Sequence, residues 1–215
     1  MIDLHTHTLF SDGELLPSEL VYRAKVNGYS AICLADHADI SIMDFTIPRI
    51  VRVAKQLTLY YRILVLPGAE LTFNPPEILK SAVRSARKLG AKIVVVHGET
   101  TAEPVPPGTN RAGILAGADV LAHPGKITPG DAKLAADKNT CLEITARAFH
   151  SKTNGYVYSI AKRFGAKLVF NTDTHSPENL IDGKGVRKIL KIAGIPYKEF
   201  LTMQQNASDI ISSIV

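Results

Sequence analysis

The seven histidines of this 215-residue chain are not scattered. Six of them follow short apolar runs and have acidic residues close by: Asp3-Leu4-His5-Thr6-His7 with Ser11-Asp12-Gly13, Asp36-His37, Gly68-Ala69-Glu70, His97-Gly98-Glu99, Ala122-His123-Pro124 and Thr172-Asp173-Thr174-His175. Neutral imidazole and carboxylate are the usual ligands of zinc, manganese and iron, and a centre holding several such cations must gather its ligands from many segments. His5 and His7 lie two apart, so in an extended segment both point to one side, as a pair sharing a cation should. An isolated His-x-His is more often chance than function. The other apolar runs that end in His, Asp or Glu change that judgement.

Such residues need a scaffold that brings run ends together. Seven β-branched-rich runs read as strands near Ile2-Leu4, Ala31-Ala35, Ile63-Leu66, Ile93-Val96, Val120-Ala122, Cys141-Ile144 and Leu168-Phe170. Helix-length segments separate them, near Pro17-Asn27, Pro48-Tyr61, Glu77-Leu89, Asn110-Ala116, Pro129-Lys138, Thr153-Phe164 and Gly185-Ala193. Pro17, Pro48, Pro76 and Pro129 suit first helical turns, and Gly28, Gly90, Gly165 and Gly194 suit helix stops. This alternation predicts parallel strands joined by helical crossovers, an α/β barrel whose strand C-termini carry the candidate ligands. A further short helix is expected between Tyr197 and Val215, with Asn206 or Ser208 as its N-cap. The Pro-rich stretch Glu103–Gly108 reads as a loop over one barrel end.

Composition is that of an ordinary folded protein: 46% hydrophobic and 21% charged residues, a length suited to a single domain over residues 1–215. A net charge of +5 is compatible with phosphate-bearing partners, and equally with solvated helix faces. The apolar runs are strand-length, far short of the roughly 20 residues of a membrane span, and the N-terminus resembles a ligand set more than a signal segment. No membrane association and a cytoplasmic location are the expectation. Cys33 and Cys141 fall inside expected strands and read as buried free thiols.

Taken together, the motifs resemble the polymerase and histidinol phosphatase (PHP) superfamily of metal-dependent phosphoesterases. The resemblance spans nearly the whole chain. It rests on Asp3-Leu4-His5-Thr6-His7 with Ser11-Asp12-Gly13, Ala35-Asp36-His37, Pro67-Gly68-Ala69-Glu70, Val96-His97-Gly98, Leu121-Ala122-His123-Pro124 and Asn171-Thr172-Asp173-Thr174-His175. It implies a distorted (β/α)7 TIM-like barrel and two or three divalent metal ions (zinc, manganese or iron). His5, His7, Asp12, His37, Glu70, His97, His123, Asp173 and His175 would be the ligands. Glu70 would bridge two metals, since a carboxylate offers two oxygens, and Asp12 stands where some relatives carry histidine.

The expected reaction is hydrolysis of a small-molecule phosphomonoester by metal-activated water. Asp173, His175 and His97 are the expected catalytic residues, and histidinol phosphate is the substrate the resemblance brings forward. Arg147, His150 and Lys152, after the sixth strand, are the candidates for substrate binding, with Lys126 and Arg111 behind them. Glu99 and Glu103 are candidates for orienting histidine ligands. Two other functions compete. A nuclease or nucleotide phosphoesterase would need a basic track with stacking aromatics, and Trp is absent while Tyr60-Tyr61 falls inside a helix. A non-catalytic metal-stabilised module fits less well, because every ligand position is filled.

Overall fold

The computed structural model describes residues 1–214. Its strands are β1 (Ile2–Thr6), β2 (Ala31–Leu34), β3 (His37–Ala38), β4 (Leu64–Leu71), β5 (Ile93–His97), β6 (Val120–Ala122), β7 (Cys141–Thr145) and β8 (Leu168–Asn171). They pair in parallel in the order β1-β2-β4-β5-β6-β7-β8, and the two-residue β3 pairs with the upper half of β4. Seven of these are the runs read from the sequence. β3 is an addition: His37 pairs with Glu70 where β2 has left the sheet. This is an α/β TIM-like barrel, nearly closed.

The closing seam, between β1 and β8, is held mostly by side chains. Their backbones meet directly at the upper end, at a Thr6–Thr174 bridge where His7 N–H donates to Thr174 C=O (2.8 Å) and Asp173 N–H to His5 C=O (3.0 Å). Below it, Leu4 N–H donates to the Asn171 side chain at 2.8 Å, and Thr172 Oγ1 donates to Asp3 at 2.6 Å. At the opposite end the Gln204 side chain accepts from Ile2 N–H (2.6 Å) and donates to Ile2 C=O (3.0 Å). Buried backbone groups need partners, and these amides and carboxylates supply what a regular ladder would.

Helices α1 (Pro17–Val26), α2 (Met43–Tyr61), α3 (Leu79–Lys88), α4 (Thr109–Ala116), α5 (Pro129–Lys138), α6 (Asn154–Phe164) and α7 (Gly183–Ile192) cover the outside. Strand alternation assigns the two faces. In β5, Val94 and Val96 belong to the layer under the helices, whereas Ile93 and Val95 join Leu66, Val120, Ala122 and Val169 inside the barrel. α8 (Tyr197–Ser212) closes the bottom, with Ala207, Ile210 and Ile211 packed into the inner cluster.

Two helix starts differ from expectation. α2 begins at Met43 and carries Pro48 as its sixth residue, where a missing N–H removes one hydrogen bond while Ile47 and Ile50 bury completely. α8 begins at Tyr197, directly after Pro196; Asn206 is not its cap but donates to Leu168 C=O at 2.8 Å. Pro17 and Pro129 do open their helices, and Pro76 opens a one-turn 3-10 helix (Pro76–Ile78) leading into α3. No helix among the described residues is long and apolar enough to cross a membrane.

Candidate metal centre

All seven histidines meet at the C-terminal mouth of the barrel, grouped with Asp12, Glu70, Glu143 and Asp173. The nine residues singled out as ligands are all among them. Alternation along the strands explains most of the placement: Ile93, Val95 and His97 follow one another on the inner face of β5, as do Leu66, Gly68 and Glu70 in β4. His5 and His123 are exceptions. His5 follows Leu4 of the inner cluster, at a register irregularity of β1 between Asp3 and Thr6. His123 follows Ala122, which already faces inward, so an extended continuation would turn it outward; instead its φ of 28° redirects it. Asp173 likewise sits at φ 53°. Side-chain-bearing residues avoid this region, and the chain holds them there through Glu143 accepting from His123 N–H (3.0 Å) and His5 C=O accepting from Asp173 N–H (3.0 Å).

Glu70 lies at the middle. Its Oε2 is 2.6 Å from His37 Nδ1, 3.4 Å from His5 Nε2 and 3.7 Å from His7 Nε2. Its Oε1 is 3.2 Å from His97 Nδ1 and 3.5 Å from His123 Nε2. The two oxygens thus face two different sets of imidazoles. Asp173 spans a second pair of groups, with Oδ1 3.3 Å from His7 Nε2 and Oδ2 3.8 Å from His123 Nε2. Asp12, half exposed at the rim, puts Oδ1 3.2 Å from His175 Nε2 and 3.5 Å from His37 Nε2.

The electrostatics fit cations. Burial holds the His7 and His123 imidazoles well below their ordinary value, reinforced by His37 and His175 around the first and His97 beside the second. Both are thereby kept in the neutral form that offers a lone pair. Burial opposes protonation of His5 and His37 too, but there Glu143 and Glu70 raise His5 well above its ordinary value, and Glu70 and Asp12 raise His37 to about 9. Burial pushes Asp173 up to about 7 against the pull of His5. For Asp12, burial is outweighed by the hydrogen bond from His175 and the charge of His37, which bring it down to about 2.

Unpartnered atoms make the same point. His7 Nδ1, Glu70 Oε1, both ring nitrogens of His97 and His123 Nδ1 are buried without a hydrogen bond. Each such atom costs about 1–3 kcal/mol, a penalty that a bound ion would offset. The donor set, imidazole with carboxylate, suits zinc, manganese or iron.

A PHP domain model matches residues 3–101. An uncharacterized protein of Methanocaldococcus jannaschii is 47% identical over 199 residues, covering 92% of this chain and 91% of that protein. The chain belongs to the PHP superfamily. A 5'-3' exoribonuclease of Haemophilus influenzae is 48% identical over 42 residues only, 20% of this chain and 15% of that protein. Among solved structures, a chain of archaeal ribonuclease P with mature tRNA matches with a TM-score of 0.74 at 16% identity, covering 96% of this chain and 89% of that one. A candidate histidinol phosphatase from Listeria monocytogenes matches with a TM-score of 0.60 at 10% identity, covering 86% of this chain and 99% of that one. At those identities the likeness is one of fold.

The matched PHP segment contains His5, His7, Asp12, His37, Glu70 and His97; His123, Asp173 and His175 come from the half beyond it and meet them in space. The substrate candidates separate. His150 is buried in the centre, its ring stacked on His123 at 4.2 Å, with Nδ1 bonded to Thr100 Oγ1 at 2.7 Å. Arg147 lines the adjoining cavity and donates to Asn179 Oδ1 at 3.2 Å. Lys152 and Lys126 are exposed. Arg111 is paired with Asp131 at 3.0 Å, which makes it part of a helix–helix contact. Glu99 accepts from the N–H groups of Gly108 (3.1 Å) and Asn110 (2.9 Å), so it anchors the start of α4 rather than a histidine. Glu103 Oε2 is 3.5 Å from His97 Nε2.

Three buried carboxylates around this PHP centre have roles that the sequence reading did not assign; Asp3 and Asp36 stood in its motifs, and Glu143 was missed altogether. Glu143 accepts from Asn171 (2.8 Å) and lies 2.9 Å from His5 Nδ1. Asp36 accepts from Thr8 N–H (2.7 Å) and Ser11 Oγ (2.8 Å), pinning the loop that carries Asp12. Asp3 holds Thr172, next to Asp173. A lone acidic residue inside an apolar run was the available signal for Glu143.

Proposed function

We propose that this chain is a hydrolase, a metal-dependent phosphoesterase acting on a small-molecule phosphomonoester, with histidinol phosphate as the first substrate to test. The observation that carries this reading is Glu70, whose two oxygens face separate sets of imidazoles, His37, His5 and His7 on one side and His97 and His123 on the other. That is the arrangement a carboxylate shared by two cations requires.

His5, His7, Asp12, His37, Glu70, His97, His123, Asp173 and His175 would hold two or three ions of zinc, manganese or iron. Such ions, when bound, acidify water and neutralise charge on phosphoryl oxygens. The chain's own groups do the rest. Arg147 spends one guanidinium nitrogen on Asn179 and keeps the others for phosphate oxygens. Thr100 Oγ1 accepts from Ala102 N–H at 3.3 Å and lies 2.7 Å from His150 Nδ1. With the threonine hydroxyl donating to Nδ1, His150 would carry its proton on Nε2, as a donor to the substrate. Lys152 adds positive charge from outside.

The test is phosphate release by protein loaded with manganese or zinc, from histidinol phosphate, an aryl phosphate and a nucleotide. Preferential turnover of histidinol phosphate supports the substrate; turnover of the others alone keeps the reaction and discards it. His97→Ala and Asp173→Ala should abolish turnover while leaving the far-ultraviolet circular dichroism unchanged. Unchanged turnover in either variant sinks the assignment of those residues.

The short match to an exoribonuclease favours a second reading, cleavage of nucleic-acid or nucleotide phosphates. Tyr60 and Tyr61 lend it no support, since they end α2 just before β4 begins, at the barrel end opposite the metals. Degradation of a single-stranded RNA, with binding that weakens steeply as salt rises, would establish it.

A further inference from the structure

Beside the metal centre lies a cavity of about 360 Å3, walled by Asp12, His175, Glu14, Arg147, Phe149 and Asn179. Its size is near the lower end of the roughly 300–1,000 Å3 typical of small-molecule sites, enough for a leaving group with one ring. It holds one cation, one carboxylate outside the ligand set and one aromatic ring. Opposite charges in so small a space ordinarily pair. Here Arg147 bonds to Asn179, and among the described residues no ion pair within 4.0 Å joins it to Glu14.

Both charges are positioned from behind. Asn179 Oδ1 also accepts the N–H groups of His175 and Ser176, each at 3.0 Å, so Arg147 is set against the same loop that carries His175. Glu14 N–H donates to His175 C=O at 2.7 Å, and its side chain is exposed. Phe149 is 69% exposed, an apolar ring left to water at the edge of a polar site. A planar ligand face laid on it would remove that exposure.

We propose that this cavity is a leaving-group subsite for a zwitterionic, ring-bearing phosphomonoester. Arg147 takes phosphoryl oxygens, Phe149 stacks on the ring, and Glu14 accepts from an ammonium group. The proposal rests on the phosphoesterase reading above and narrows it: histidinol phosphate carries both ring and ammonium, whereas a nucleotide base offers a planar face without the cation.

The experiment uses the full metal-loaded chain with tyramine phosphate (ring and ammonium), phenyl phosphate (ring only) and phosphoethanolamine (ammonium only), and calorimetric titration with tyramine itself. Glu14→Gln should lower the kcat/KM ratio of tyramine phosphate to phenyl phosphate about tenfold, the scale of one charge-assisted hydrogen bond. Phe149→Ala should lower the ratio of tyramine phosphate to phosphoethanolamine severalfold. Both should weaken tyramine binding. Both positions are exposed, so melting temperatures should match the parent. Ratios and tyramine affinity that stay at the parent values overturn the subsite, as does a parent protein that neither binds tyramine nor prefers its phosphate. Tyramine binding that responds to both substitutions, in a protein that hydrolyses none of the esters, supports the subsite and overturns the phosphoesterase reading alone.

Discussion

Glu143 Oε1 lies 2.9 Å from His5 Nδ1, between two fully buried residues 138 positions apart in the chain. The contact fixes which His5 nitrogen faces the centre: with Nδ1 engaged, Nε2 is turned to Glu70 and to His7 Nε2, 3.0 Å away. Glu143 Oε2 meanwhile holds the backbone of His123 in its left-handed conformation. One carboxylate therefore orients two of the proposed ligands.

Glu143→Gln should weaken metal binding about 10- to 100-fold, the usual effect of removing a ligand-orienting partner. Titration of metal-free protein with zinc or manganese measures this directly. An unchanged affinity would mean that His5 is oriented by its neighbours alone.

Metal should stabilise the fold. Ligand at a hundredfold excess over Kd adds about 2.7 kcal/mol, and for a chain of this size each kcal/mol moves Tm by roughly 2–4 °C. Chelation should thus lower Tm by about 5–10 °C, and zinc or manganese should restore it. Elemental analysis after dialysis should return two or three ions per chain; less than one would remove the multi-metal reading.

Gly125 should tolerate no side chain. It sits at φ 60°, and a Cβ there would lie 1.9 Å from Glu99 C=O. Gly125→Ala combines a left-handed conformation with backbone overlap, each costing about 1–3 kcal/mol. A loss of about 2–5 kcal/mol in urea unfolding is expected, and a variant within 0.5 kcal/mol of the parent would refute the packing described.

The two thiols should be silent in the native state. Burial pushes Cys141 up to about 12, with Lys167 pulling the other way, and burial also raises Cys33, helped by Asp119. Raising a thiol pKa removes thiolate at any given pH, so at pH 8 Cys141 is ionised to roughly one part in 10,000, against about one in ten for a thiol near pKa 9. A disulfide-exchange reagent should label both only after unfolding. Rapid labelling of the native protein would show that the barrel opens at its base.

Much of the fold was legible because its signals are local. Apolar runs mark β1, β2 and β4 to β8, while Pro17 and Pro129 open helices and Gly28, Gly90, Gly165 and Gly194 follow them with positive φ. The set of nine proposed ligands came from the resemblance to the PHP family; apart from Asp12, in the loop after β1, each sits on or shortly beyond the end of such a run, and in a parallel barrel those ends converge. Pro48 misled the start of α2, because the buried faces of Met43, Thr46 and Ile47 extend that helix back past a proline whose lost hydrogen bond the packing outweighs.

What tertiary structure alone decided is which polar groups meet. Nothing near Glu143 in sequence points to His5, nothing near Thr100 points to His150, and Arg111 and Glu99 are drawn off by Asp131 and by the N–H groups at the start of α4. A strand or helix announces itself through the period of its own side chains. A buried hydrogen bond depends on distance and direction between atoms far apart along the chain, and those exist only once the barrel has closed.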